Sequence, residues 1–252
     1  MMNVVIPLAG LGSRFAKAGY TLPKPLIPVH GVPMIRLVID NVRPSESHRF
    51  VFICQRAHTQ QFGLRQNLEA WSPGCAVVEL DGVTEGAACT VLTAREFIDS
   101  DDALMIANSD QFVDIAIDDY LHAMTEEKLD GLIMTMWADD PKWSFARLDA
   151  RGLVDLVVEK EVVSNCATVG IYNFKAGRDF VRAADDMIAK NLRVNNEFYV
   201  APVYNQLIGE GARIGVYDVG SVGRGMYGLG TPPDLDAFLA MPVSKVATRD
   251  LA

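Results

Sequence analysis

The chain has 252 residues, half of them hydrophobic and 22% charged, with 32 acidic against 23 basic side chains and a formal net charge of −9. These proportions exclude a disordered polymer, and the negative balance argues against a nucleic-acid backbone or an anionic membrane as the main partner. An anionic substrate therefore needs a local basic pocket within an acidic protein.

The four cysteines, Cys54, Cys75, Cys89 and Cys166, are scattered without metal-ligand spacing. In a chain of this length they read as reduced core residues. No apolar stretch approaches the roughly 20 residues that span a bilayer, and Met1–Pro7 lacks a basic leader region, so a cytoplasmic protein is expected. Repeats, low-complexity runs and linkers are absent, which predicts one domain over 1–252; the sequence leaves open whether it forms a homo-oligomer.

In chain order, the apolar run Val4–Leu8 predicts a first strand. A helix over Met34–Val42, a strand over Phe50–Cys54, a helix over His58–Ala70 and a strand over Ala76–Leu80 follow. Ala87–Ile98 has helical spacing with small residues at its start, and Ala103–Ala107 is a further buried strand. Next come a helix at Ile115–Glu126 and a strand at Gly131–Trp137. The texture then changes: Phe145–Leu148, Val154–Glu159 and Thr168–Phe174 predict antiparallel strands separated by turns. Helices at Gly177–Lys190 and Glu197–Glu210, a strand at Arg213–Val219 and a helix at Pro233–Leu239 complete the reading, with Asn196 as N-cap of the Glu197 helix. The alternation predicts an α/β fold: Rossmann-like, three layers α/β/α, a mostly parallel central sheet and a small antiparallel addition.

The first strand runs into Leu8-Ala9-Gly10-Leu11-Gly12-Ser13-Arg14. Glycines at 10 and 12 let the backbone approach a ligand without a Cβ, and successive N–H groups ahead of a helix start make an anion cradle. Arg14 offers a planar donor to phosphate oxygens, and Lys24 is held stiffly between Pro23 and Pro25. An ordinary turn with surface basic residues is the plainer reading of each piece alone. The loop fits neither the dinucleotide fingerprint nor a P-loop. Further along, Glu85-Gly86-Ala87-Ala88 opens a helix with small residues on which a base can lie, or which serve close packing. Asn108-Ser109-Asp110 follows a buried strand at its carboxyl end, where ligands of open α/β sheets bind. A carboxylate there suits Mg²⁺ or caps the next helix.

These segments, with Lys24-Pro25-Leu26-Ile27-Pro28-Val29, Gly31-Val32-Pro33-Met34-Ile35 and Gly230-Thr231-Pro232, resemble the sugar-phosphate nucleotidyltransferase (pyrophosphorylase) superfamily, whose fold is of the A-class glycosyltransferase type. The resemblance implies transfer of a nucleoside monophosphate from an NTP to a phosphorylated small molecule, with capsule or surface-glycan precursors among the products. It divides the chain into a nucleotide-binding half (1–130) and an acceptor-binding half (131–252). Arg14 and Lys24 would take the triphosphate, Glu85–Ala88 the base and ribose, and Asp110 the Mg²⁺, flanked by Asn108 and Ser109. The family's Glu-Lys-Pro…Ser-Asn pattern reads Glu159-Lys160-Glu161…Ser164-Asn165 here, and implies that Lys160 grips the acceptor phosphate. Glu159, Asn165, Gly170, Asn196 and Glu197 would line the acceptor. The loop is one residue shorter than the thymidylyl and adenylyl pattern, which implies a pyrimidine, CTP ahead of UTP and closest to capsule-type cytidylyltransferases.

One position departs from the pattern: Gly228 stands where many members carry a second metal-binding aspartate, with Asp218 as a candidate substitute. Two rivals stay open. A glycosyltransferase of the same fold would consume a nucleotide sugar, and pyrophosphate release separates it. A non-catalytic nucleotide-binding regulator would bind CTP or UTP without forming product.

Overall fold

The computed structural model describes residues 1–251. The strands are β1 (Met2–Leu8), β2 (Pro28–Val29), β3 (Val32–Pro33), β4 (His48–Gln55), β5 (Ala76–Leu80), β6 (Ala103–Ala107), β7 (Gln111–Val113), β8 (Gly131–Trp137), β9 (Ser144–Leu148), β10 (Val154–Glu159), β11 (Cys166–Phe174), β12 (Ile214–Val222) and β13 (Gly225–Gly228). The helices are α1 (Ser13–Lys17), α2 (Met34–Asn41), α3 (Arg56–Phe62), α4 (Leu64–Trp71), α5 (Ala87–Leu92), α6 (Arg95–Ile98), α7 (Ile117–Glu126), α8 (Gly177–Ala189), α9 (Tyr204–Gly209), α10 (Pro232–Leu239) and α11 (Pro242–Thr248).

One large sheet has the order β5-β4-β1-β6-β11-β8-β12-β13-β7, with β9 and β10 attached beside β11, and β2-β3 form a separate antiparallel pair. β5, β4, β1 and β6 run parallel, as do β8 and β12, while β11 is antiparallel to both of its main neighbours. This is the expected α/β architecture with its antiparallel addition.

Strand alternation places the two faces in separate cores. Val4, Ile6 and Leu8 face a cluster that includes Ile35, Leu68 and Tyr120 from α2, α4 and α7. Val5 faces the opposite cluster, with Val91, Ile98, Phe180 and Leu207 from α5, α6, α8 and α9. A third cluster gathers Phe15, Ile27, Met34, Phe112, Tyr227 and Phe238, and so anchors α1, the segment after Lys24 and α10 against the end of the sheet.

Several expected boundaries are corrected. The helix expected over His58–Ala70 is two, because Gly63 adopts a left-handed conformation (φ 62°) between them. Ala87–Ile98 likewise divides, where the Thr93 hydroxyl donates to the Thr90 carbonyl at 2.6 Å. Asn196 does not cap a helix. Asn195 and Asn196 are both left-handed (φ 50° and 64°) in a tight turn bridged by Val194 and Glu197, a conformation asparagine tolerates better than most residues. Helical structure begins only at Ala201, with a single 3-10 turn before α9. All four cysteines are free, but only Cys54 is fully buried.

Candidate active site

β1 delivers the glycine loop to the carboxyl edge of the sheet. Gly12 is left-handed (φ 59°), and its carbonyl accepts from Phe15 N at 3.0 Å, closing the turn into α1. A Cβ on Gly12 would lie 3.3 Å from the Lys24 Cβ, so glycine lets the lysine segment press against the loop. Phe15, 1% exposed, pins α1 below it. Gln55, at the end of β4, donates through Nε2 to the Ala9 carbonyl at 2.6 Å and to the Gly82 carbonyl at 3.0 Å. It thereby ties the glycine loop to the segment that leads into α5.

Lys24 Nζ forms an ion pair with Asp110, which follows β6. Gly230 lies beside that carboxylate: a Cβ there would stand 2.7 Å from Asp110 Oδ2. The Asp110 carbonyl accepts from Leu229 N at 2.7 Å, so the two segments are fastened by backbone as well. Gly170 (φ 86°) leaves room for Asn108, whose side chain occupies the space a Cβ would need, while Asn108 N donates to the Gly170 carbonyl at 2.9 Å. On the other side Gly86 (φ 130°) meets Phe198, with Ala88 N donating to Phe198 O and Phe198 N to Glu85 O, at 2.9 and 2.8 Å.

Two cavities open at this edge. The first, about 530 Å³, is walled by the glycine loop from Leu8 to Arg14, by Lys24, by Val83 to Ala87 without Glu85, and by Asn108, Ser109, Asp110 and Glu197. The second, about 580 Å³, is walled by Lys142, Trp143, Ser144, Glu159, Gly170, Tyr199 and Asp234 among others. They share Arg14, Ala87, Asn108, Asp110 and Gly230. Most residues singled out in the sequence are thus brought together; besides Asp218, described below, five are not on either wall. Glu85 pairs with Arg193 at 2.9 Å, Ala88 is wholly buried, and Asn165 and Asn196 lie outside. Lys160 turns through a positive φ of 59° and donates to the Tyr199 hydroxyl at 2.7 Å, a bond that raises its pKa.

Glu159 ends β10 and is 8% exposed; the Ser144 hydroxyl donates to it, and burial pushes its carboxyl pKa up. Sequence reasoning missed Gln55, Gln111, Lys142, Trp143, Tyr199 and Asp234. Gln111 had a signal, since it directly follows Asp110 at the carboxyl edge. The others reach the site only through the sheet order.

Gly228 has no carboxylate of its own, yet a Cβ there would lie 3.9 Å from Asp234 Oδ2. Asp234 is held by the Thr231 hydroxyl at 2.5 Å. Asp218 instead accepts from Gly220 N at 3.1 Å and lines neither cavity. Among the described residues no group of three or more metal-ligating side chains occurs, so a cation here would rest on carboxylates plus ligand oxygens. No helix among them is long and apolar enough to cross a membrane.

Comparison with known proteins matches a family model described as "Nucleotidyl transferase" over residues 3–198. Among solved structures, the nucleoside-diphosphate-sugar pyrophosphorylase of Vibrio cholerae RC9 superposes with a TM-score of 0.81 at 26% identity, covering 94% of this chain and all of that one. The inositol-1-phosphate CTP transferase of T. maritima gives 0.75 at 14% identity over 99% and 96% of the two chains, a likeness of fold. A 2-aminoethylphosphonate cytidylyltransferase of Lancefieldella rimae is 55% identical over 38 residues, which span 15% of either chain.

Proposed function

This chain belongs to the nucleotidyl transferase family, and from that premise we propose that it transfers a nucleoside monophosphate, CMP ahead of UMP, from an NTP to a small phosphorylated acceptor with release of pyrophosphate. The observation that carries this reading is the meeting of two cavities at Arg14, Asn108, Asp110 and Gly230. A triphosphate in the first brings its α-phosphorus to the shared wall, and an acceptor in the second brings its phosphate to the same place.

The acceptor phosphate oxygen attacks the α-phosphorus in line, and the bond to the β-phosphate oxygen breaks. A phosphomonoester with its second pKa near about 6 is mostly dianionic at neutral pH, so it needs no general base. Catalysis is then positioning and charge neutralisation. The backbone of the glycine loop holds the phosphates, Arg14 faces the departing pyrophosphate, and Lys24 leaves Asp110 for the α-phosphate. Lys160 swings from Tyr199 to the acceptor phosphate. Asp110 and Asp234 fit a hard divalent cation such as Mg²⁺, since both are oxygen donors at the second cavity and Gly230 keeps space beside Asp110. When bound, such an ion offsets charge on the triphosphate. Ala87 and Gly86 carry the base and ribose.

The short loop from Ala9 to Arg14 and the local likeness to a cytidylyltransferase support a pyrimidine. The products suit activated building blocks for capsule or surface glycans, made in the cytoplasm where NTPs are available. Pyrophosphate release from each of the four NTPs against a panel of phosphorylated acceptors tests the reading. Release with CTP or UTP is expected. Tight nucleotide binding with no product from any pairing favours a non-catalytic regulator.

A further inference from the structure

The second cavity has unmatched polar groups. Glu159 is 8% exposed, its hydrogen-bond donor is the neutral Ser144 hydroxyl, and it forms no ion pair among the described residues. Its neighbour Lys160 points instead to Tyr199. Buried carboxylates in folded proteins are paired with cations or driven toward the neutral form. Burial raises the pKa of Glu159, and the nearby Lys160 ammonium, turned to Tyr199, only partly offsets this. Gln111, on the same wall, is 3% exposed, and its Nε2 lacks an acceptor. Trp143 and Tyr199 add aromatic faces, each already visited by an ammonium: Lys142 Nζ stands 5.1 Å from one ring centroid and Lys160 Nζ 4.8 Å from the other. Such faces attract ammonium groups through the ring quadrupole.

Resting on the nucleotidyltransfer reading, we propose that the acceptor is a small phosphomonoester bearing a protonated amine, with its ammonium on Glu159 and an oxygen function on Gln111 Nε2. A zwitterion matches the polarity of the cavity: at its shared end Asp110 is neutralised by Lys24 and leaves Arg14 for the phosphate, while the buried Glu159 lies away from that end. A neutral hydroxyl can donate to Glu159 but leaves the buried charge uncompensated. An ammonium donates and also compensates the charge.

The test compares isosteric acceptors with and without the amine, in pyrophosphate-release assays with all four NTPs and Mg²⁺. Ethanolamine phosphate is set against propyl phosphate, and glucosamine 1-phosphate against glucose 1-phosphate. We expect kcat/KM to favour at least one aminated partner over its isostere by roughly ten- to a hundred-fold, the range of a hydrogen bond to a charged group. In Glu159→Gln, which still accepts from Ser144, that preference falls toward one. Equal or greater use of the amine-free partners overturns the inference and leaves nucleotidyl transfer standing. No pyrophosphate from any pairing, with a cooperative melt showing intact fold, overturns both.

Discussion

The ammonium of Lys24 rests on the carboxylate of Asp110, 86 residues further along the chain, at the wall common to both cavities. The pair is partly buried, with side-chain exposures of 19% and 28%. Each partner therefore neutralises the other until an anionic ligand competes for the lysine. Asp110→Asn and Arg14→Ala are each expected to lower turnover by about 10²–10³-fold, the scale of removing one preorganised charge from a transition state. Circular dichroism and melting temperature should change little. Near-normal turnover in both variants would falsify the assignment of this wall as the reaction centre.

Two glycines separate a structural demand from a functional one. Gly86 has φ 130°, and a Cβ there would stand 2.5 Å from Phe198 N, with rigid backbone on the far side. Gly86→Ala should cost about 2 kcal/mol or more of stability and loosen the junction between α5 and the 194–198 turn. Gly230 has no such φ, and the nearest obstacle is the Asp110 carboxylate at 2.7 Å. Gly230→Ala should keep most of its stability yet lose turnover, because the added methyl displaces Asp110. Paired urea melts and turnover assays separate the two, and a Gly230→Ala protein as unstable as Gly86→Ala removes the distinction.

Local chemistry explains which parts of this arrangement could be read from sequence. The strand Val4–Leu8, the glycine loop, Lys24 between prolines and Asp110 after a strand are contiguous signals, and they converge because β1 and β6 are neighbours in the sheet. Helix breaks at Gly63 and Thr93 were hidden, since helical periodicity continues through them. Asn196 reads as a cap because asparagine favours both settings, and the turn is instead held by the Val194–Glu197 bridge and by the bonds of the following Phe198 to Glu85 and Ala88. Asp234 was invisible as a site residue. It is an ordinary first-turn acid of α10 until β13 brings Gly228 alongside it.

That placement predicts a particular carboxylate dependence for the cation. Mn²⁺ titrated into protein with CTP, followed by its paramagnetic resonance signal, is expected to bind several-fold more weakly in Asp234→Asn and more weakly still in Asp110→Asn. Asp218→Asn should bind as the wild type does, since Asp218 lines neither cavity. A shift in the Asp218 variant and none in the Asp234 variant would instead assign the second ligand to β12.

Glu159 gives a pH signature opposite in sign to that of Asp118, Asp130 and Glu79. Asp118, Asp130 and Glu79 have lowered pKa values, through the Ser45 and Arg213 backbone N–H groups and the Thr59 side chain respectively, so they add stability that is lost as pH falls. Burial raises Glu159 above its ordinary 4.5. Between 4.5 and that higher native value the folded state holds a proton that the unfolded chain has released, so this group's contribution to stability declines as pH rises. Glu159→Gln cannot ionise and lacks that decline. The melting temperature of the variant minus that of the wild type should therefore increase from pH about 4 upward and level off once native Glu159 is ionised. Taking the difference cancels the other carboxylates. A difference that is flat, or that decreases with pH, would mean that Glu159 already has a cationic partner in the free protein, and the second cavity would then have no unmatched charge to offer an amine.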